Sequence, residues 1–309
     1  MEEKELCNKI KYLAKSKKSF DEICSELNLK EYELIGLVGL MNREGELIDC
    51  IGKQIILLNK PLQSDETYVV NTTKNHLNLL FISDTHMCSK HDRVDILNYL
   101  YDEAVKRGVD AVLHCGDISD GMYTNRPQQI YELRCHGFDE HLDYVVKRYP
   151  KTELKTYFIG GNHLDTYIRN GGSDFGKAIS RERDDLIYLN PDTAKIRLGN
   201  LGILMHHGSG QKAYSLSYKI QRYAETIDDP KIQIIMQGHF HNAMYMYYMG
   251  KHCFQVGSLV DENNWSRSLG LKNEKSCYWV EVDCDSKGKI LKITPELQTF
   301  EDKKLVKRK

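Results

Sequence analysis

The sequence has no apolar run long enough to cross a bilayer, and none of its nine cysteines forms a Cys-x-x-Cys pair. The first absence sets the expectation that no membrane is involved. The second removes the usual sequence support for a structural zinc site. Net charge is nearly absent too, since 43 Lys and Arg face 44 Asp and Glu and leave −1 at pH 7. So even a balance gives no global electrostatic case for nucleic acid. The charged start, Met1-Glu2-Glu3-Lys4-Glu5, lacks the apolar h-region of a secretory leader. Together with an odd cysteine count, that start sets the expectation of a reducing cytoplasm. The 309 residues leave room for a large core and for two domains.

What is present concentrates in five short motifs: Asp84-Thr85-His86, Gly116-Asp117, Gly161-Asn162-His163, His207-Gly208 and Gly238-His239-Phe240-His241. Each comes after an apolar run, such as Leu79-Leu80-Phe81-Ile82 or Ile232-Gln233-Ile234-Ile235-Met236, that reads as a buried strand. Any one motif alone is no more than a capped strand end with a satisfied histidine. Five in order, at the carboxyl ends of strands where open α/β sheets place their ligands, point to one metal site. Two ions held about 3.5–4 Å apart need a bridging carboxylate, and Asp117 is the natural choice. One ion then takes Asp84, His86, Asp117 and His241, and the other takes Asp117, Asn162, His207 and His239. Strand-like alternation in Gly-His-x-His would put both imidazoles on one side. Of the adjacent pair His206 and His207 only one can face the site, and His207 is chosen. Carboxylate, imidazole and amide ligands without thiolate suit Mn²⁺ first, with Fe²⁺ and Zn²⁺ open. His163 comes directly after a ligand without being one, so it is the candidate general acid, with Asp120 to orient its ring. Cys88 and Cys115 read as small apolar filler.

The ordered set resembles the calcineurin-like metallophosphoesterase family over residues 77–257. The resemblance implies an α/β fold, a two-sheet sandwich flanked by helices, with a dinuclear site along one edge. It also implies hydrolysis of phosphomonoesters or phosphodiesters by a metal-activated hydroxide, and the same ligands position by position. Three departures bear on the branch. Protein Ser/Thr phosphatases of the family carry Asp-Arg-Gly after Gly-Asp, whereas here Gly121 stands at the place of that Arg. Purple acid phosphatases carry a metal-binding Tyr where this chain has Asp120. Gly-Asn-His is often followed directly by Asp or Glu, but here Leu164 intervenes before Asp165.

Residues 1–60 read differently. A helix from about Glu2 to Lys15 precedes the capping box Ser19-Phe20-Asp21-Glu22, and a turn at Asn28 leads to a third helix from about Glu31 to Arg43. Gly36 and Gly39 weaken that helix. Segments 46–49 and 54–57 flank a turn as a short hairpin would. Three helices and a hairpin resemble a winged helix-turn-helix, which would dock nucleic acid or protein. Its third helix is even or acidic in polar residues, although Lys15, Lys17 and Lys18 could touch phosphate. Residues 61–74 read as a polar linker, and 75–309 as the metallophosphoesterase domain. The basic cluster from Lys303 to Lys309 reads as a solvated tail.

On the substrate side, Arg126 is the candidate phosphate clamp, because a guanidinium grips phosphate bidentately. Tyr123 nearby is a packing or stacking residue. Segment 169–173 suits a lid, and Ser209-Gly210-Gln211 is expected to open a helix at a phosphate. The leading function is a phosphodiesterase, with a nuclease as its narrower form. A phosphomonoesterase on small metabolites or proteins, or a non-catalytic nucleic-acid-associated subunit, are the other readings.

Overall fold

The computed structural model describes residues 3–16, 18–43, 48–51, 53–57, 67–268 and 270–301. It divides into two compact units, Met1–Asp65 and Glu66–Lys309. In the first unit the elements are α1 (Glu3–Lys15), α2 (Phe20–Leu27), α3 (Glu31–Arg43), β1 (Ile48–Ile51) and β2 (Gln54–Leu57). The Ser19 hydroxyl accepts the Glu22 N–H at 3.3 Å, and the Glu22 carboxylate accepts the Ser19 N–H at 2.7 Å. Such a capping box contributes about 1 kcal/mol to the start of α2. Asn28 ends that helix with a left-handed φ of 52°. In α3, a Cβ at Gly36 or Gly39 would meet nothing. Its other side buries Leu34, Val38 and Met41 in one core with Ile10, Phe20 and Ile23. Burial rather than propensity therefore holds α3. Strand β1 pairs antiparallel with β2 and runs on to Ile51, where the sequence suggested a turn. Lys17, Glu46, Leu47, Gly52 and the tail from Lys303 lie outside the described residues.

The second unit begins with β3 (Thr67–Val70), β4 (His76–Ile82), α4 (Val94–Lys106), β5 (Ala111–His114), α5 (Gly137–Arg148) and β6 (Thr156–Ile159). It continues with α6 (Asp165–Gly171), α7 (Phe175–Glu182), β7 (Leu186–Asn190), β8 (Thr193–Leu198), β9 (Leu201–His206) and α8 (Tyr218–Ala224). It ends with β10 (Ile232–Gln237), β11 (Met244–Tyr248), β12 (Lys251–Gln255), α9 (Asn264–Ser268), β13 (Ser276–Cys284) and β14 (Ile290–Thr299). Two six-stranded mixed sheets result, in the orders β11-β12-β10-β9-β8-β3 and β14-β13-β4-β5-β6-β7. Strand β3 falls within the stretch read as linker, yet it pairs parallel with β8. Four β-prone residues on an exposed sheet edge leave little periodicity to detect. Residues 61–66 lie outside the described residues.

The sheets pack face to face, as side-chain alternation dictates. Leu79 and Phe81 of β4 enter the core between the sheets, where Phe81 meets Phe254 of β12 edge-on at 5.1 Å. Leu80 and Ile82 point the other way, into a core shared with α4, α5 and α7. On the far face of the other sheet, Ile220 of α8 covers Leu204, Ile235 and Cys253. Neighbouring strands β4, β5 and β6 run parallel, as do β9 and β10. The five motifs lie just past the carboxyl ends of these strands. Among the described residues no helix is long and apolar enough to cross a membrane.

Candidate metal centre

The strand ends bring the candidate ligand, acid and orienting residues near one another. Asp84, His86, Asp117, Asp120 and His207 are buried, while Asn162, His163, His239 and His241 are only partly so and face the open side. Ligand atoms lie within 4.8 Å of one another in three triads: Asp84–His86–His241, Asp117–His207–His239 and His86–Asp117–His163. Asn162 adds its Oδ1 to the second triad, 3.2 Å from His207 Nε2 and 2.8 Å from His239 Nδ1. Among the described residues, the non-glycine residues with positive φ are Asp84, His86, Asp117, His239 and His241, together with Asn28, Cys88 and Met249. Each such residue costs about 1–3 kcal/mol, so strain is concentrated where the motif side chains converge. His239 and His241 have φ of 70° and 52°. The Gly-His-x-His segment is therefore a left-handed bend and not the alternating strand expected of it. Gly161 lies so close to Asp117 that a Cβ would strike its carboxylate.

Hydrogen bonds fix which nitrogen of each ring faces inward. His86 Nδ1 donates to Asp120 Oδ1 at 3.0 Å, and His207 Nδ1 donates to the Cys115 carbonyl at 2.8 Å. His239 Nε2 donates to the Gly210 carbonyl at 2.8 Å, and His241 Nδ1 lies 3.0 Å from Asn273 Oδ1. The Asn162 amide orients by donating from Nδ2 to Tyr123 Oη at 2.7 Å. Sequence reasoning missed Asn273 and gave Tyr123 only a packing or stacking role. Neither residue type is unusual in a polar loop, and only the fold brings them to the ligands. Gln129 was missed as well; its Nε2 donates to Asp120 Oδ2 at 3.2 Å.

Some expected placements differ. The Asp120 carboxylate bonds His86 Nδ1 at 3.0 Å and also lies 3.5 Å from His163 Nδ1, which donates to the Asp120 main-chain carbonyl at 2.5 Å. His206 packs behind the centre, stacked on Tyr223 at 3.8 Å and 3.0 Å from Thr193 Oγ1. Asp165 pairs with Arg169 on the surface at 2.8 Å and does not support His163. Ser209-Gly210-Gln211 opens no helix, since α8 starts only at Tyr218, and Gly210 offers its carbonyl instead. Arg126 stacks over the Tyr123 ring at 4.4 Å, and that ring meets His163 edge-on at 4.9 Å.

A model of the calcineurin-like phosphoesterase superfamily domain matches residues 77–271, well over half of the chain. This chain belongs to that family. No curated protein matches it. Among solved structures, an archaeal phosphodiesterase is similar at 14% identity and TM-score 0.43, covering 72% of this chain and 100% of that one. A 5'-nucleotidase precursor from Thermus thermophilus is similar at 14% and 0.39, covering 72% of this chain and 54% of that one. A zinc complex of Vps29 from Entamoeba histolytica is similar at 15% and 0.32, covering 73% and 100%. These likenesses are remote.

Members of this phosphoesterase family typically use divalent metals, and the residues here fit them. Asp84 Oδ1 is buried without a hydrogen-bond partner, 3.2 Å from His241 Nε2 and 3.6 Å from His86 Nε2. Burial lowers the pKa of His239, so its ring is neutral. With Nε2–H given to Gly210, its bare Nδ1 faces Asn162 Oδ1, and two lone pairs meet with no proton between them. A cation resolves both orphaned contacts.

Charge within the cluster makes metal uptake depend on pH. Burial opposes a charged ring at His86, but Asp120 and Asp84 outweigh it and hold the pKa up to about 10. Burial opposes it at His207 also, and Asp117 holds that ring up to about 9. Burial opposes ionisation of Asp84 and Asp117 too, yet His241 and His207 respectively keep them well below the usual carboxylate range. Without metal, both raised histidines are therefore cationic at neutral pH. Raised values mean stability that is full below the ordinary histidine range and is lost as pH climbs through about 9 and about 10. A metal needs bare nitrogens, so its uptake releases protons. Affinity for Mn²⁺ is expected to rise with pH through neutrality and to level off only as the two rings lose their protons near about 9 and about 10. Calorimetry in buffers of differing ionisation enthalpy reads the proton release, and flat affinity without release would refute this charge assignment.

Proposed function

We propose that this chain is a metal-dependent phosphodiesterase, with nuclease activity as its narrower form, working through two divalent cations, Mn²⁺ by first choice. The observation that carries the proposal is the pair of ligand clusters on either side of Asp117, each with a contact that a cation would satisfy. In this reading Asp84, His86, Asp117 and His241 hold one cation, and Asp117, Asn162, His207 and His239 hold the other. When bound, the two cations lower the pKa of a water molecule and neutralise charge on the phosphoryl oxygens.

The remaining roles belong to the chain. Asp120, Cys115 and Gly210 keep protons on the outward ring nitrogens, and Tyr123 turns the Asn162 carbonyl inward. His163 Nε2 reaches within 3.9 Å of Asp117 Oδ2 and serves as proton donor to the leaving oxygen. Arg126, held against Tyr123, serves as the outer phosphate clamp. A diester is favoured over a protein phosphomonoester by Gly121. A Cβ there would run into the His163 carbonyl and lie 2.8 Å from Thr166 Oγ1, which closes this position to the phosphatase Arg.

The N-terminal unit is, in the same proposal, a winged helix that docks protein. Helix α3 exposes Tyr32, Ile35 and Leu40, whereas base readout wants Arg, Lys, Asn or Gln. Lys18 is paired with Glu26 and Lys53 with Glu31.

The test is turnover by metal-stripped protein reloaded with Mn²⁺, on bis-p-nitrophenyl phosphate beside p-nitrophenyl phosphate. Preference for the diester is expected, and preference for the monoester would shift the assignment to a phosphatase. Single-stranded DNA and RNA belong in the same series at rising salt. Retention that falls steeply with salt would support nucleic acid as the substrate class.

A further inference from the structure

Outside the centre, Cys88, Cys135 and His141 bring two sulfurs and a ring nitrogen within 4.8 Å of one another. Cys88 and His141 are buried, while Cys135 is partly exposed and leaves a way in. We propose that these three residues form a separate site for one thiophilic divalent cation, zinc foremost, which staples the loop after β4 to the start of α5. The proposal stands independently of the phosphoesterase reading.

The frame around the three ligands is already set. The Arg134 N–H donates to the Cys88 carbonyl at 2.7 Å, and Ser89 pairs with Leu133 in an isolated antiparallel bridge. Cys88 itself has a φ of 74°, a left-handed conformation that a residue with a Cβ adopts only when its surroundings impose it. His141 Nδ1 lies 2.5 Å from Tyr167 Oη and 3.1 Å from Ser119 Oγ, and its Nε2 donates to the Cys135 carbonyl at 2.9 Å. Coordination through Nε2 gives up only that last bond. The proton moves to Nδ1, which then donates to Tyr167 Oη, the nearer hydroxyl, the usual kind of support for the far nitrogen of a ligating imidazole.

The charge balance also favours the site. Binding sends two thiol protons to solvent and leaves two thiolates, one neutral imidazole and one divalent cation, which is a neutral group. A neutral group can be buried where a lone ion could not. Two sulfurs and one imidazole select zinc, and a fourth position remains for water on the side of Cys135. Sequence spacing gave no hint, because the two cysteines belong to segments joined only by the fold.

Cobalt titration of the full, reduced, metal-stripped chain tests this directly. The ligands proposed at Asp117 include no sulfur, so a near-ultraviolet thiolate-to-cobalt charge-transfer band that depends on Cys135 reports the new site. The band should appear in the wild type, bleach on adding zinc, and vanish in Cys135→Ser, which should also bind one zinc fewer per chain. Should that variant not fold, zinc protection of Cys88 and Cys135 from iodoacetamide in the wild type gives the same reading. No band in the folded wild type, a band unchanged in Cys135→Ser, or alkylation indifferent to zinc would each overturn the site. A Cys88–Cys135 disulfide found by non-reducing mass spectrometry in place of zinc binding would overturn it too.

Discussion

Asp117→Asn is expected to lower turnover of the diester by at least about a thousandfold, roughly 4 kcal/mol of barrier, and to leave no more than one metal per chain. The reason lies in how both oxygens are used. Asp117 Oδ1 accepts the His163 N–H at 2.9 Å, and Oδ2 faces His207 Nε2 at 2.9 Å. An asparagine must keep its carbonyl toward the His163 N–H, so its amide N–H₂ turns to the space shared by the two clusters. That group donates hydrogen bonds and cannot coordinate a cation. The bridging negative charge is lost at the same time. Overall shape barely changes, so the folded variant should be recovered. Elemental analysis beside the Mn²⁺ assay decides the matter: two metals and wild-type turnover in Asp117→Asn would exclude Asp117 as the bridge.

The same residue shows why so much of the centre was legible in the sequence. Asp117 stands three residues past β5, and each of the other motifs likewise comes after an apolar run that became a strand. Apolar runs of this kind can only be buried, so the polar residues after them emerge at a sheet end. The long-range closure of two sheets then gathers those ends, and residue chemistry alone suggested what they share. What was hidden is what depends on local backbone or on distant segments. Asp120 is one turn of loop beyond Asp117, and spacing cannot tell whether its carboxylate meets His163 or His86. Gly-His-x-His looked extended because its neighbours are, but left-handed φ at both histidines aims them differently. Asn273 reaches His241 from a loop far along the chain, with no motif to mark it. Strand β3 is four residues long and lies on an edge, so pattern could not separate it from linker.

His163→Ala is expected to keep both metals and, on a diester with a poor leaving group, to lose about 10²–10⁴-fold in kcat, the usual share of a general acid. The direction of the hydrogen bond at Nδ1 sets how the ring works. The Asp120 carbonyl accepts at 2.5 Å, so Nδ1 always carries its proton, and Nε2 can donate only when the ring is cationic. Burial, acting first and hardest, pushes the His163 pKa down to about 4 despite Asp117 and Asp120. At neutral pH the free ring is thus mostly uncharged. An arriving anionic phosphate diester favours the cation and raises this value. Protonation is then coupled to substrate binding, and kcat, which reports the bound complex, should fall on the alkaline side of the raised value with a dependence that disappears in His163→Ala. The loss should also grow with the pKa of the leaving group, being small for p-nitrophenol and large for a nucleoside alcohol, which needs a proton to depart. A variant that loses a metal would make His163 a ligand, in keeping with its place in the triad with His86 and Asp117. An equal loss for good and poor leaving groups, with both metals kept, would reduce it to a positioning residue.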